Sequence, residues 1–530
     1  MRFTLENWAE AFASLPVRPR PYRNAAVSLR GHGVDEQAER ARVLVEVGLN
    51  VFRFPAALIP GCDLLTDSGT TTMTMPQWAA LLLGDESYGS NEGYFELKRQ
   101  VVETFGPAWE NRDRNFESVF IFHQGRAAEH GLFSCLGRML DARARVRGDG
   151  RPWFVIPSNG HFDTTQANVE ANGFEARNLF SPEQRAKDAS APFRGNMDTG
   201  ALHALLADPA TRERVPLVYL TITNNTGGGQ PVSLENIRQV SELCRAWEVP
   251  LLFDACRFAE NAWFIREREP GREGRGIAET VREMFEFCDG FHISLKKDGL
   301  ANIGGCLCVC EDGLLVKRFP GIREALTMHQ VLVEGHPTYG GLAGRDLKAI
   351  AEGLRTAVRQ EYLDWRIGQV GRFGAAVDEA CGADVTVKPF GGHAVYIDLD
   401  RFFAGTGLGD GDFPGISLTA LLLVAGHRLC ELGVYAFGKE VNGREVGPEP
   451  RVNNVRAAIP RLCYEDEDLR ACAGAIGLLY RERERVPGVE VTYGKDRPMR
   501  HFISRFRFRD GTIETRRRAE NGAGRARTGA

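Results

Sequence analysis

The chain has 530 residues, with 66 Lys and Arg against 70 Asp and Glu, and is 43% hydrophobic and 26% charged. That length exceeds what one hydrophobic core organises and predicts two domains with room for a large buried site, while the composition excludes disorder and fibrous repeats. A net charge of −4 argues against nucleic acid or an anionic membrane as partner and for a small molecule.

At the N-terminus, Glu6 and Glu10 interrupt the apolar residues, so no signal-peptide core is expected, and no later stretch is long and uncharged enough to span a bilayer; a cytoplasmic protein is expected. Residues 107–118 and 405–411 read as surface loops. AAEHGLFSCLGRML reads as a helix following His123-Gln124-Gly125-Arg126. Between Val215 and Cys310, strand patterns VPLVYLTIT, VPLLFDA, GFHISL and GGCLCVC are separated by helical patterns SLENIRQVSELCRAWE and IAETVREMFEFC. This alternation predicts an α/β fold with a mostly parallel sheet covered by helices on both faces. Ser233 is the expected N-cap of the first of these helices, and Gly227–Gly229 permit a tight turn before it.

Cys306, Cys308 and Cys310 alternate along the last strand, which turns them to one face; with no C-x-x-C among the twelve cysteines, packed reduced thiols are expected rather than a zinc site. The glycine-rich loop from His336 to Asp346 leads into one long helical stretch reaching Phe373, which is predicted to carry the domain boundary. Beyond it, strand GGHAVYIDLD, helix SLTALLLVAGHRLCEL and strand-like VEVTYG and HFISRFRF predict a smaller mixed domain. The arginine- and glycine-rich end has almost nothing to bury and reads as a disordered tail.

Open α/β sheets bind ligands at the carboxyl ends of their strands, where Asn225, Asp254 and Lys297 are expected. In Ser294-Leu295-Lys296-Lys297-Asp298, ammonium groups end an apolar segment, where they are costly unless paired or chemically used. A desolvated lysine with a lowered pKa forms Schiff bases, although two lysines at a strand end are, alone, more often a solvated edge. Asp254 changes that reading, because a pyridoxal phosphate site pairs such a lysine with a carboxylate that keeps the ring nitrogen protonated. His123-Gln124-Gly125-Arg126 adds a glycine for close approach and an arginine for phosphate at a helix start.

Seven ordered blocks carry a more specific signal: LLTDSGT at Leu64, GDESY at Gly84, HQGR at His123, GGQPVS at Gly228, DACRFAENAWFI at Asp254, SLKKD at Ser294 and PTYGGLAGRD at Pro337. Together they resemble the β-eliminating lyases, the family of tryptophanase and tyrosine phenol-lyase, over most of the chain. The resemblance implies a fold-type-I pyridoxal phosphate-dependent transferase fold. Its division here is residues 1–66 as an N-terminal arm and part of the small domain, 67–355 as the large cofactor domain, 356–508 as the small domain and 509–530 as the tail.

The resemblance further implies pyridoxal phosphate held by Lys297, the lysine that carries it, with Asp254 at the pyridine nitrogen and Arg257 near the phenolic oxygen. Gln124, Gly125, Arg126 and Ser294 are implied around the phosphate, Phe162 on the ring and Asn225 at its oxygen substituent. Arg456, with Thr66 and Ser68, is implied to grip the substrate α-carboxylate, and Tyr88 to protonate the leaving group. A monovalent cation, normally potassium, is implied at Glu86 and the carbonyls of Gly69 and Asn302, and a homotetramer as the assembly.

Within that family, tyrosine phenol-lyases meet the phenol with an arginine where this chain has Leu432, and an apolar side chain does not anchor a hydroxyl. Asp163 and His501 stand where tryptophanases carry an aspartate and a histidine. The resemblance therefore implies β-elimination of L-tryptophan to indole, pyruvate and ammonia. Asn159-Gly160-His161 and Ala127 depart from the family pattern, which keeps open a related lyase for tyrosine, a modified aromatic amino acid or an S-substituted cysteine. A non-catalytic amino-acid or cofactor sensor is the rival from another class, and it does not require Tyr88.

Overall fold

A computed structural model describes residues 36–509, apart from 114, 442–443, 449–450 and 498. The expected N-terminal arm before Glu36 and the expected tail after Arg509 lie outside the described residues.

Seven buried strands form the main sheet: β1 (Val119–Phe122), β2 (Phe154–Ser158), β3 (Phe174–Asn178), β4 (Val218–Thr221), β5 (Leu251–Asp254), β6 (Gly290–Ser294) and β7 (Gly305–Val309). Their order is β1-β7-β6-β5-β4-β2-β3. The run from β3 to β6 is parallel, and β7 is antiparallel to both neighbours. Strand alternation feeds two apolar layers. Leu251, Phe253, Cys306 and Cys308 pack with Ile237 and Val240 of helix Leu234–Ala246. Leu252 and Leu307 pack on the other face with Leu132 and Leu136 of helix Gly125–Leu140. The three cysteines are thus free thiols, Cys306 and Cys308 buried and Cys310 partly so. Ser233 caps its helix by accepting the Asn236 N–H at 3.1 Å.

The second sheet is antiparallel, in the order β8 (Ala394–Asp398), β12 (Asn454–Ala458), β9 (Cys430–Leu432); β10 (Lys439–Val441) and β11 (Arg444–Val446) form one ribbon, β13 (Val489–Tyr493) and β14 (Arg505–Phe508) another. Val455 and Ala457 pack on Val370, Phe373 and Val377 of helix Gln360–Cys381, so the alternation of β12 turns Arg456 to the opposite face. Val43 and Leu44 of helix Glu36–Glu46 join Ile416, Ala420 and Leu423 of helix Pro414–Ala425 in a further cluster.

Four expectations are corrected. The long helical stretch is two helices, Gly344–Ala357 and Gln360–Cys381, separated where Arg359 is extended (φ −78°, ψ 128°). The first packs Leu347, Ile350 and Leu354 into the core of the main sheet; the second keeps Leu363 and Ile367 in that core and turns Val370 and Phe373 to the other, and helical periodicity in sequence runs through the extended residue between them. The segment Ser417–Leu432 is a helix only to Ala425, ended by Gly426 in the left-handed conformation (φ 95°), and it finishes as β9. In HFISRFRF only Arg505–Phe508 is strand; Arg500–Phe502 is a 3-10 turn, held by Arg500 donating to the Tyr435 carbonyl at 2.8 Å and pairing with Glu445 at 3.0 Å. In 107–118, Trp109 is buried edge-on against Phe291, with centroids 4.7 Å apart, which ties that loop into the core. Among the described residues no helix is long and apolar enough to cross a membrane.

Candidate active site

A cavity of about 260 Å³ lies between the carboxyl ends of β5 and β6 and the Arg456 face of the second sheet. It gathers Lys297, Asp254, Arg257, Ser294, Gln124, Gly125, Arg126 and Phe162 with Asp163, His501, Arg456, Thr66, Ser68 and Leu432. These residues come from eight separate stretches of chain, which the strand ends of the main sheet and the facing second sheet bring to one cavity.

The approach of helix Gly125–Leu140 to β6 explains the glycine of HQGR. A Cβ at Gly125 would sit 2.5 Å from the Ser294 Cβ, so only glycine lets the helix start meet the strand end. That helix start opens on the cavity beside Arg126, Lys296 and Lys297. Among the described residues none of these three cations forms an ion pair. Burial lowers the pKa of Lys296, with Lys297 and Arg126 adding like-charge repulsion. Three neighbouring cations at a helix N-terminus constitute an anion site, and the phosphate of pyridoxal phosphate fits it. Asp254, buried at the end of β5, supplies the carboxylate that a pyridinium needs.

Arg456 presents a second unmet need. Its Nη2 donates to the Leu65 carbonyl at 3.2 Å, but its buried Nε has no partner. A bidentate carboxylate would satisfy it. Ser68 and Thr66 sit beside it, joined by the Ser68 N–H donating to the Thr66 Oγ1 at 3.1 Å. On the far wall Asp163 starts helix Asp163–Ala171, and its Oδ2 lies 3.4 Å from the His501 Nε2. Phe502 packs at a tilt against His501, with centroids 4.1 Å apart, and against Phe52 at 4.6 Å, giving that wall an aromatic lining that sequence reasoning missed.

Sequence reasoning also missed a buried ionic layer beneath the cavity. Arg257 pairs with Asp67, and Arg461 reaches Asp67 at 3.0 Å, Glu260 at 2.7 Å and Asp298 at 2.8 Å. Burial alone would raise the Asp67 pKa, but Arg257, with His393 and Arg461, holds it well below the usual carboxylate range. Asp67, Arg257, Glu260 and Asp298 stand inside quoted motifs, but their pairing was not visible, and Arg461 lies outside all of those motifs.

Five expected residues are not among those lining the cavity. Tyr88 is 79% exposed and packs against Tyr339, with centroids 5.3 Å apart. Asn225 is buried behind the site, where its Oδ1 accepts from the Tyr396 hydroxyl at 2.6 Å. Gly69 and Asn302 adjoin each other, the Asn302 Nδ2 donating to the Gly69 carbonyl at 3.1 Å. Glu86 is engaged by Arg345 at 2.9 Å. His161 also stays outside the lining: it is buried, its Nδ1 lies 2.8 Å from the Asn178 Oδ1, and burial pushes its pKa down to about 4.

A lysine and an aspartate at the carboxyl ends of a seven-stranded, mostly parallel sheet, beneath a smaller antiparallel one, define the fold-type-I pyridoxal phosphate enzymes. The β-eliminating lyase family model matches residues 63–471. A tryptophanase from Salinibacter ruber is 42% identical over 472 residues, 89% of this chain and 92% of that protein. A tyrosine phenol-lyase from Lacrimispora saccharolytica is 36% identical over 502 residues, 93% of this chain and 98% of that protein. The solved structure of a threonine aldolase from Leishmania major shares the fold, at a TM-score of 0.51 and 14% identity, covering 79% of this chain and 99% of that one. The chain belongs to the β-eliminating lyase family. It is a pyridoxal phosphate-dependent lyase.

Proposed function

We propose that the protein is a tryptophan indole-lyase, converting L-tryptophan and water to indole, pyruvate and ammonia. The observation that carries this reading is the Asp163–His501 pair at 3.4 Å on an aromatic wall of the cavity, with Leu432 where a phenol would need a donor. The similarity to a tryptophanase at 42% identity supports it. The position of His161 outside the lining removes the main reason for expecting a reshaped pocket.

Pyridoxal phosphate, when bound, supplies an electron sink conjugated to the amino acid's α-carbon. Lys297 would carry it, Arg126 and the start of helix Gly125–Leu140 would hold its phosphate with Gln124 and Ser294, and Asp254 would serve its ring nitrogen and Phe162 its ring. Arg257 would serve its phenolic side, and Asn225 would act indirectly through Tyr396 and His393. Arg456, with Thr66 and Ser68, holds the substrate carboxylate and so orients the α-hydrogen toward the Lys297 Nζ, which removes it. Asp163 and His501 hold the indole N–H, while Phe52, Phe502 and Leu432 exclude water from the ring.

Tyr88 is the acid that protonates indole C3. It points away from the cavity of its own chain, so the reading requires a second copy to deliver it, within a homotetramer. Potassium is read at the Gly69 and Asn302 carbonyls, and its arrival must draw Glu86 from Arg345. Division into domains near residue 355 follows the break at Val358–Arg359, and twelve free cysteines suit a reducing cytoplasm.

The test is pyruvate and indole release from L-tryptophan, L-tyrosine and S-methyl-L-cysteine with pyridoxal phosphate and potassium present. Indole and pyruvate from tryptophan, at the highest kcat/KM of the three, are expected. Pyruvate from another amino acid alone would overturn tryptophan as substrate.

A further inference from the structure

His292 lies in the middle of a buried polar group on the cavity wall, joining Asp254 to Glu129 and Cys256. Strand alternation sets it there: Phe291 and Ile293 face one core layer, while His292 shares the opposite face with Leu252 and Leu307, under helix Gly125–Leu140. In the parallel register of β5 and β6 it is the direct partner of Asp254. From the helix above, Glu129 reaches down to it. The His292 Nε2 is 3.2 Å from the Glu129 Oε1 and 3.5 Å from the Asp254 Oδ1, and the Cys256 Sγ lies 3.8 Å away. On its other side the Nδ1 is hydrogen-bonded to the Tyr219 hydroxyl, with the two rings parallel at 5.7 Å.

Two carboxylate oxygens accept and neither donates, so the geometry fixes the proton on Nε2. Tyr219 either donates or accepts at Nδ1, which leaves both the neutral ring and the imidazolium compatible with the hydrogen bonds. The Glu129 carboxylate takes two further donors, the Thr165 hydroxyl and the Asn168 Nδ2 at 3.3 Å, and Asp254 also accepts the Cys256 N–H at 3.3 Å. Those contacts hold the two carboxylates in place and aimed at the ring. The remaining titratable neighbours are His161, which its burial keeps neutral, and the thiol of Cys256. Burial of His292 acts against its charge, but Asp254 and Glu129 outweigh it and carry its pKa well above the ordinary histidine value.

We propose that His292 is a positioning residue for cofactor binding: by placing one proton between Asp254 and Glu129 it keeps the Asp254 carboxylate ionised and oriented at the cavity. The inference rests on the pyridoxal phosphate reading of the site. Without a donor at this point two buried carboxylates face each other, and one takes up a proton at neutral pH. Asp254 then loses the charge that a pyridinium requires.

The experiment measures the dissociation constant for pyridoxal phosphate, by the cofactor's visible absorbance, from pH 6.5 to 9 in the wild type, His292→Leu, His292→Gln and the double variant His292→Leu/Glu129→Gln. The wild type should bind with little dependence on pH. His292→Leu should bind at least about tenfold more weakly at pH 7, the equivalent of one unit of carboxylate pKa, and recover as pH rises and the extra proton leaves. His292→Gln, which keeps a neutral donor near Nε2, should lie between the two. Removing the second acid in the double variant should restore affinity toward the wild type.

A loss in His292→Leu that is independent of pH, or that deepens in the double variant, would mean that His292 only fills space, and the proposal fails. Unchanged affinity in His292→Leu defeats it as well, while a wild type that binds no pyridoxal phosphate defeats the underlying reading instead. Asp254, Cys256 and His292 also place their donor atoms within 4.8 Å of one another. One equivalent of zinc bound by the wild-type apoprotein, lost in His292→Leu and blocking the cofactor, would make the group a metal site and overturn the proposal.

Discussion

Arg257 grips Asp67 at two points, its Nη2 donating to Oδ1 at 2.8 Å and its Nε to Oδ2 at 3.0 Å, with both side chains buried. The pair ties the segment after β5 to the loop around Asp67, and both residues line the cavity with Arg456.

Asp67→Ala takes from the buried Arg257 its carboxylate partner and from Arg461 one of three, and unfolding by denaturant should show a loss of about 3–5 kcal/mol. The pH dependence follows from the depressed Asp67 pKa. Its contribution is present in full above the ordinary carboxylate value, about 3.9, and is lost as pH falls through the lower folded value. Between pH 5 and pH 2 the stability of Asp67→Asn should therefore fall less steeply than that of the wild type.

Lys297→Ala should abolish the visible cofactor band and lower pyruvate release by at least about 10²–10⁴-fold, the usual worth of a positioned base. Lys296→Ala should keep the band and bind pyridoxal phosphate more weakly, because it removes one of three cations at the anion site. Exchange of those two phenotypes would move the cofactor to Lys296.

For Arg456→Ala the expected effect is on the amino acid and not on the cofactor. kcat/KM should fall by the equivalent of about 2–5 kcal/mol, while the pyridoxal phosphate dissociation constant stays within a few-fold. Equal losses in both measurements would place Arg456 at the cofactor.

Asp163→Asn and His501→Phe should depress turnover of L-tryptophan by at least about tenfold, as loss of a polar partner for a substrate N–H does, and leave S-methyl-L-cysteine, which has no ring N–H, nearly untouched. A uniform loss with both substrates would show that the pair serves the fold rather than the indole.

Glu431, next to Leu432 on β9, is buried and accepts the Tyr435 and Ala436 N–H groups at 3.0 and 3.1 Å. Burial outweighs those bonds and pushes its pKa up to about 7. A raised carboxylate pKa gives stability that is full below the unfolded value and is lost as pH rises through 7. Glu431→Gln should flatten thermal stability between pH 5 and pH 8, with a relative gain at pH 8 of up to roughly 3 kcal/mol.

The sheet and its strand-end chemistry were legible because period-two apolar runs and terminal polar residues are local signals. Asp254 and Ser294 follow directly from them. Tyr88 carries no such signal, since its place is set by packing against Tyr339, which lies far away in the chain. The break at Arg359 was hidden because apolar residues on both sides of it, Leu354 and Leu363, pack in one core and continue one periodicity across a single extended residue. His292 left a trace that went unread: a lone histidine in the apolar run GFHISL needs a buried partner, and the parallel register makes Asp254 that partner.

The single guanidinium of Arg461 satisfies carboxylates at positions 67, 260 and 298, drawn from three stretches far apart in the chain. Drift at position 461 alone leaves three buried acids with Arg257 and Arg366 as their remaining cations. The four side chains therefore act as one unit: removing any one leaves a buried charge that the others must absorb, so replacing the whole set by apolar residues costs less than replacing one member.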